Sequence, residues 1–258
     1  MVFPLSDDNS DRQRVPWITW SLITANVLVF VLFQQGGTND SVTLAFFQVP
    51  AEIMSGQDIV TEPSIREVEY EGQQYQISVP GLRPTPIPVY LTLLTGIFLH
   101  GGWMHLLGNM TYLYIFGDNI EEKLGKIKFL IFYFLTGLCA ALTQALLDTS
   151  STIPMIGASG AIAGILGGYL VLYPKANIKV FFWFIIFFKV FRIRAFIVLG
   201  GWILIQFLSF SGEEFNSGGV AYGAHIGGFI AGAILIKLFC SQKLIPNKPN
   251  KGSVPNAK

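Results

Sequence analysis

Residues 155–174 read M-I-G-A-S-G-A-I-A-G-I-L-G-G-Y-L-V-L-Y-P and predict a short membrane helix that begins beside a serine. Positions 159–173 carry no charge, and Pro174 ends the helix because proline cannot donate the next backbone hydrogen bond. Fifteen residues at about 1.5 Å each cover roughly 22 Å, less than the roughly 30 Å of bilayer hydrocarbon. If the C-terminal end lies at one interface, Ser159 lies below the other, where an unpartnered polar group is unfavourable. Ser159 is therefore a functional candidate.

The whole chain has the composition of a polytopic membrane protein. Of its 258 residues, 52% are hydrophobic and only 13% are charged, and the mean hydropathy is +0.52. The first apolar run is interpreted as a retained helix, because Q-Q-G-G-T follows it rather than a signal-peptide cleavage site. Cys139 and Cys240 lie in apolar runs without metal-type spacing and are interpreted as packing residues. Hydropathy predicts six spans, at residues 17–33, 103–117, 128–147, 158–173, 195–210 and 220–239.

The basic residues are distributed unevenly between the two faces that six spans would create. Fifteen of the 17 Lys and Arg residues fall in the termini and in the second and fourth connections, which share one face. Arg66 and Arg83 are the two on the other face. The positive-inside rule therefore predicts that both termini are cytoplasmic. The net charge of +1 does not point to a nucleic-acid partner. The predicted division is a tail at 1–16, a membrane domain at 17–240 and a disordered tail at 241–258.

Three connecting segments carry their own predictions. The first external loop, at about 36–88, is long and polar, and alternation around Glu71-Gly72 predicts a β-hairpin within it. Residues 89–100 are apolar but too few to span, so they are predicted to lie in the interface or to dip into the outer leaflet. The run V-F-F-W-F-I-I-F-F at 180–188 is predicted to be an interfacial segment leading into the fifth span. The alternative is that this run itself spans and the fifth helix shifts.

The second, fourth and sixth spans run in one direction, so their N-terminal ends should gather at the outer leaflet. Asn109, Ser159 and His225 lie twelve to fifteen residues from the inner ends of these spans, a depth of roughly 18–23 Å. Small residues on facing helices let the two backbones approach closely in lipid. The faces are formed by Gly160, Gly164 and Gly168 on the fourth span and by Gly228 and Gly232 on the sixth. Serine and imidazole are thereby predicted to meet.

These residues suit nucleophilic catalysis. An imidazole near neutral pH can take the proton of a serine hydroxyl, which gives Ser159 as nucleophile and His225 as general base. No Asp or Glu lies within a span, so the prediction is a dyad rather than a triad. His105 and Asn109, one helical turn apart, could stabilise the oxyanion together with the Ser159 backbone N–H. No zinc-protease H-E-x-x-H motif is present, and no metal or cofactor is expected.

Each feature also has a structural interpretation when taken alone. The G-A-S-G segment could serve helix packing, and His105 with Asn109 could form an interhelical hydrogen bond. His225 could be a buried structural residue, although ionisable groups are unfavourable in lipid. For His100, at the membrane edge, a structural role in hydrogen bonding the loop backbone is favoured. The coincidence in depth and helix direction favours chemistry for Ser159, His225 and Asn109.

The chain from about residue 17 to 240 resembles the rhomboid intramembrane serine proteases. The resemblance lies in H-G-G-W-M-H-L-L-G-N-M at 100–110, G-A-S-G at 157–160 and A-H-I-G-G-F-I-A-G at 224–232. It implies an all-α, six-helix membrane bundle with a long first external loop. It also implies that the fifth helix and the loop at about 211–218 gate substrate entry. The residues it implies for the site are Ser159, His225, His105 and Asn109, supported by Gly157, Gly160, Gly228, Gly232 and His100.

Two positions depart from the pattern of that family. The Trp-Arg pair common in the first loop is absent, and the corresponding place near Leu91-Thr92 is neutral. Many members carry an aromatic residue that stacks on the catalytic histidine four residues after the nucleophile, where this chain has Ala163. Another side chain is therefore expected to hold His225. Neither change removes a reacting group.

Three hypotheses of different classes follow. The leading one is a serine endopeptidase that cleaves transmembrane protein substrates near the outer leaflet, in a bacterial plasma membrane with the lipid bilayer as its surroundings. The second is a catalytically silent rhomboid-like protein that binds membrane clients. A transporter would need charged or broken mid-span sites in related halves, and the sequence has no such repeat. Substrate, cleavage site and oligomeric state are left open.

Overall fold

The protein is mostly helical in a computed structural model that describes residues 2–7, 13–70, 73–79, 81–184, 187–210 and 220–241. The loop predicted at 211–218 and the predicted C-terminal tail beyond residue 241 lie outside the described residues. The helices are α1 (Trp17–Leu28), α2 (Asp40–Phe46), α3 (Pro50–Ser55), α4 (Thr92–Thr95), α5 (Trp103–Leu124), α6 (Lys126–Leu147), α7 (Ser159–Leu172), α8 (Ala195–Phe210) and α9 (Tyr222–Ser241). The strands are β1 (Val2–Ser6), β2 (Ser64–Tyr70), β3 (Gln73–Val79), β4 (Asn177–Phe184) and β5 (Phe187–Arg194).

Helices lie at each of the six predicted spans, but they differ in length. Within the described residues, Lys126–Leu147 and Tyr222–Cys240 are long and apolar enough to cross a bilayer alone. A third candidate joins Val89–Phe98 to Trp103–Leu124 across a bend of 82°. Trp17–Phe33, Ser159–Leu172 and Ala195–Phe210 are shorter apolar helices. The prediction of six complete spans therefore stays a prediction.

Helices α6, α7 and α9 form the centre of the bundle, where α7 is buried along most of its length. Glycines make the contact between α7 and α9 possible. A methyl group on Gly228 would overlap the carbonyl oxygen of Gly160, and one on Gly232 would overlap that of Gly164. Since these neighbours are backbone atoms, they cannot move aside as a flexible side chain can. The α9 face predicted from the sequence thus meets α7, but the predicted α7 face is wrong in part. Methyl groups on Gly160 and Gly164 would meet α6, and Gly167 is the α7 glycine whose methyl group would overlap an α9 carbonyl oxygen, that of Phe229.

Replacing Gly232 by alanine is expected to lower the free energy of unfolding by about 1–3 kcal/mol, because the added methyl group overpacks a backbone contact. The matched control is Gly200→Ala in α8, where a methyl group would meet no atom within 4 Å. Thermal melting of both variants in one detergent checks the difference. Equal melting temperatures would contradict the close approach of α7 and α9.

A three-stranded antiparallel sheet, in the order β1-β4-β5, lies at the C-terminal end of α7. In β4, Ile178 and Val180 are buried and Lys179 between them is more exposed, which is the two-residue period of a strand. This sheet corrects two predictions. The chain is not purely α-helical, and the run at 180–188 belongs to a strand pair, so the alternative in which it forms a spanning helix is wrong. The hairpin predicted around Glu71-Gly72 is confirmed, because β2 and β3 pair in register from Ser64–Val79 to Tyr70–Gln73.

Strand β1 also anchors the N-terminal segment, for which the sequence indicated only a tail, inside the bundle. Asp7 follows β1 and is 6% exposed. One of its carboxylate oxygens accepts hydrogen bonds from the Tyr169 hydroxyl at 2.8 Å and from the Asn119 side-chain amide at 2.7 Å. Burial raises the pKa of the Asp7 carboxyl to about 6, and the charge of nearby Asp118 adds to the rise. The folded state therefore favours protonated Asp7.

Stability is expected to fall as the pH rises from about 4 to 6. The folded-state pKa of Asp7 is raised, so the favourable contribution is complete below the ordinary value of 3.8 and is lost as pH passes the folded value of about 6. A shift of this size corresponds to about 3 kcal/mol. Asp7→Asn should remove this part of the slope in melting temperature against pH, whereas Asp40→Asn, at the exposed first residue of α2, should keep it. An unchanged slope in Asp7→Asn would refute the assignment.

Candidate active site

The turn that presents Ser159 is braced by the segments that precede α5. Gly157, two residues before Ser159, has a φ of +115°, a conformation that glycine adopts readily. Its N–H donates to the Gly96 carbonyl oxygen at 2.8 Å. Met155 exchanges two backbone hydrogen bonds, of 2.7 and 3.0 Å, with Gln48 in the first external loop. The position of the serine is thus determined by contacts from two distant parts of the chain.

Ser159 is the first residue of α7, and its hydroxyl faces α9. Ser159 Oγ lies 2.8 Å from His225 Nε2, which is hydrogen-bonding distance. His225 is 9% exposed, in the first turn of α9. The first N–H groups of a helix have no intrahelical partner, so the Ser159 backbone N–H points out of the start of α7. The two helices that the glycines bring together therefore carry the two residues predicted to react.

The other side of the His225 ring is held by two residues of α8 that sequence reasoning missed. The His225 Nδ1 atom lies 2.8 Å from Gln206 Oε1. The indole of Trp202 lies against the imidazole with ring centroids 5.7 Å apart and an angle of 37° between the planes. Gln206 and Trp202 thus hold the His225 ring, which Ala163 is too small to do. The available signal was a polar Gln within an apolar helix, one turn after an aromatic residue.

His105 and Asn109 of α5 lie beside Gly157, two residues before Ser159. A methyl group on Gly157 would lie 2.8 Å from His105 Nε2 and 3.5 Å from Asn109 Nδ2, so only glycine leaves room. The Gly101 N–H donates to His105 Nδ1 at 3.3 Å, which leaves the proton of a neutral His105 on Nε2. Asn109 is 8% exposed, and its Nδ2 has no hydrogen-bond partner among the described residues. Two N–H donors thus border Gly157, in the turn that leads into Ser159.

His100 is buried, and its role in hydrogen bonding the loop backbone stays a prediction. Its ring packs edge-on against Phe30 and His105, and neither ring nitrogen has a hydrogen-bond partner among the described residues. The His100 backbone, rather than its ring, bonds to the side chain of Gln34. The His100 N–H donates to Gln34 Oε1 and its carbonyl accepts from Gln34 Nε2, both at 2.9 Å. Gln34 therefore ties the segment that follows α1 to the segment before α5.

Taken together, the apolar helices describe a helical integral membrane protein, in which a serine and a histidine of two packed helices lie at hydrogen-bonding distance. The sequence model of the rhomboid domain matches residues 89–242, more than half of the chain. This chain belongs to the rhomboid family. The match includes α5, α7 and α9, on which His105, Asn109, Ser159 and His225 lie.

Curated relatives are similar over the same part of the chain. RHOMBOID-like protein 5 of Arabidopsis thaliana is 26% identical over 179 residues, covering 60% of this chain and 51% of its own. RHOMBOID-like protein 6, mitochondrial, of the same plant is 28% identical over 171 residues, covering 62% and 52%. Rhomboid-like protease 3 of Toxoplasma gondii is 32% identical over 144 residues, covering 56% and 49%. The chain matches about half the length of each relative.

Proposed function

We propose that this protein is an intramembrane serine endopeptidase that cleaves transmembrane proteins with a Ser159–His225 dyad. The observation that carries the proposal is the 2.8 Å contact between Ser159 Oγ and His225 Nε2, partly buried at the start of two packed helices. A serine is a weak nucleophile until a base takes its proton, and a neutral imidazole at this distance can do so. Family membership and a relative named as a protease add support.

The expected reaction runs through an acyl-enzyme. Ser159 Oγ attacks the scissile carbonyl carbon while its proton passes to His225 Nε2. The carbonyl oxygen becomes negatively charged and accepts hydrogen bonds from His105 Nε2–H, Asn109 Nδ2–H and the Ser159 backbone N–H. His225 then gives the proton to the departing amine as the peptide C–N bond breaks. A water molecule, deprotonated by His225, hydrolyses the ester and restores Ser159.

The location of the reaction follows from the predicted topology. Ser159 and His225 each lie at the N-terminal end of a helix whose C-terminal end leads to basic residues. With these ends cytoplasmic, cleavage takes place near the outer leaflet. The bacterial plasma membrane stays a prediction, and the relatives do not support it, since one is named as mitochondrial and another as chloroplastic.

Labelling with a fluorophosphonate tests the proposal. The probe phosphonylates serines that are activated by a base, so it should modify the wild-type protein at Ser159. Mass spectrometry of the peptide containing 155–174 gives the position. Ser159→Ala and His225→Ala should both lose the label. A folded wild-type protein that takes no label at Ser159 would favour the silent, client-binding alternative.

A further inference from the structure

Gln206 is the one polar side chain of α8 that faces the base. Among the described residues of this helix, Gln206 is 6% exposed, whereas its neighbour Ile205 is 58% exposed. Its amide lies between a ring nitrogen that can donate a hydrogen bond and a carbonyl oxygen that can only accept one. Oε1 is 2.8 Å from His225 Nδ1, and Nε2 donates to the Trp202 carbonyl oxygen at 3.2 Å.

The Trp202 carbonyl decides which way round the amide lies. A carbonyl oxygen can only accept, so the NH₂ group of Gln206 must point towards it. The amide oxygen is then the atom that faces His225. Because this oxygen can also only accept, the proton of neutral His225 must be on Nδ1, which leaves Nε2 bare and directed at the Ser159 hydroxyl.

We propose that Gln206 is a positioning residue that selects the base-competent tautomer of His225. This inference deepens the proposed function and rests on it. In a catalytic triad, a carboxylate holds the imidazole in the correct tautomer and orientation, and reversing the tautomer strongly reduces the rate. Here a neutral amide, itself oriented by a backbone carbonyl, supplies the tautomer and orientation without a buried charge. The dyad predicted from the sequence had no group that orients His225, and Gln206 supplies one.

The arrangement also suits the surroundings of the site. A carboxylate buried in an apolar helix would need a charged or well-bonded partner to offset its desolvation. The amide satisfies both of its polar ends locally, at His225 and Trp202. The Trp202 ring covers the imidazole and packs at 30° to the ring of Phe229 as well, which restricts the plane of the base. Position and tautomer of His225 are thus both determined from α8.

The first test reads the tautomer and needs no protease activity. Ser159→Ala, labelled with 15N-histidine, removes the serine hydroxyl so that Gln206 alone can select the tautomer. The chain has three histidines, and comparison with Ser159→Ala/His225→Ala assigns the signals of His225. At a pH where the ring is neutral, the 15N shifts should indicate a single Nδ1–H form. Adding Gln206→Met should give a mixture. A mixture of the two His225 tautomers while Gln206 is present would overturn the proposal. A tautomer that stays the same in Gln206→Met would overturn it as well.

The second test compares turnover of Gln206→Met, Gln206→Glu and the control Ile205→Met. Methionine keeps the approximate size but removes the acceptor, so kcat should fall on the order of ten- to a hundredfold, with KM within about twofold. Glutamate offers an acceptor in either protonation state and should recover most of kcat. Ile205→Met should match the wild type in turnover and in melting, and the kcat of each Gln206 variant is compared for its folded fraction. If Gln206→Met keeps wild-type kcat, or if Glu fails to rescue it, the positioning role is wrong.

The two tests separate this inference from the proposed function. A wild-type protein that neither cleaves nor takes the fluorophosphonate would refute the protease. The 15N shifts would still show whether Gln206 selects the tautomer. Conversely, an active wild type whose His225 tautomer ignores Gln206 would keep the protease and refute the positioning residue.

Discussion

Ser159→Ala is expected to abolish peptide cleavage, lowering kcat by several orders of magnitude while the protein still folds. The variant removes one oxygen atom, whose described partner is His225 Nε2. Glycines make the close approach of the α7 and α9 backbones, so the loss of this oxygen should leave that approach in place. The measurement is single-turnover cleavage of a transmembrane substrate in detergent or liposomes, with a melting curve of the same preparation.

A matched serine variant separates loss of the nucleophile from a general effect of removing a hydroxyl. Ser21 in α1 is exposed, and its hydroxyl donates to the Trp17 carbonyl within the same helix. Ser21→Ala should therefore cleave at the wild-type rate. Retention of more than about a tenth of wild-type turnover in Ser159→Ala would rule out Ser159 as the nucleophile.

The second large effect is expected for Asn109→Ala, which should lower kcat by about ten- to a thousandfold at nearly unchanged stability. Asn109 Nδ2 is buried and has no hydrogen-bond partner among the described residues, so its removal breaks no described bond at that atom. The donor would instead be used when the oxyanion forms. Asn109 does not titrate, so the acidic limb of kcat against pH, set by His225, should stay where it is.

Asn26 provides the control for a purely structural amide. It is buried in α1 and its Nδ2 donates to the Leu22 carbonyl oxygen at 2.7 Å. Asn26→Ala should lower the melting temperature and leave the kcat of the folded fraction unchanged. If the activity lost in Asn109→Ala is fully explained by lost folded protein, Asn109 would belong with Asn26 as a structural residue.

The sequence predicted the helical part of the bundle well because helix formation in an apolar run is a local matter. Each backbone group bonds within its own segment, so the length and hydropathy of the run largely define the helix. The run at 180–188 was harder because a short stretch rich in aromatic residues is compatible with several structures. Its pairing with β1 joins Phe182 to Val2, about 180 residues earlier in the chain. The pattern of residues within one segment does not indicate a strand partner so distant in the chain.

Within the candidate site, the sequence by itself determined which residue types are candidates and predicted which helices bring them together. The number of residues to the inner end of each helix predicted that Ser159 and His225 lie at a similar depth, and the glycines predicted which helices touch. The tertiary structure alone decided what orients them. The Gln206 contact with His225, the Gln48 pairing with Met155 and the bond from Gly157 to Gly96 all join separate elements. Such bonds depend on how helices are rotated and how loops close, and hydropathy specifies neither.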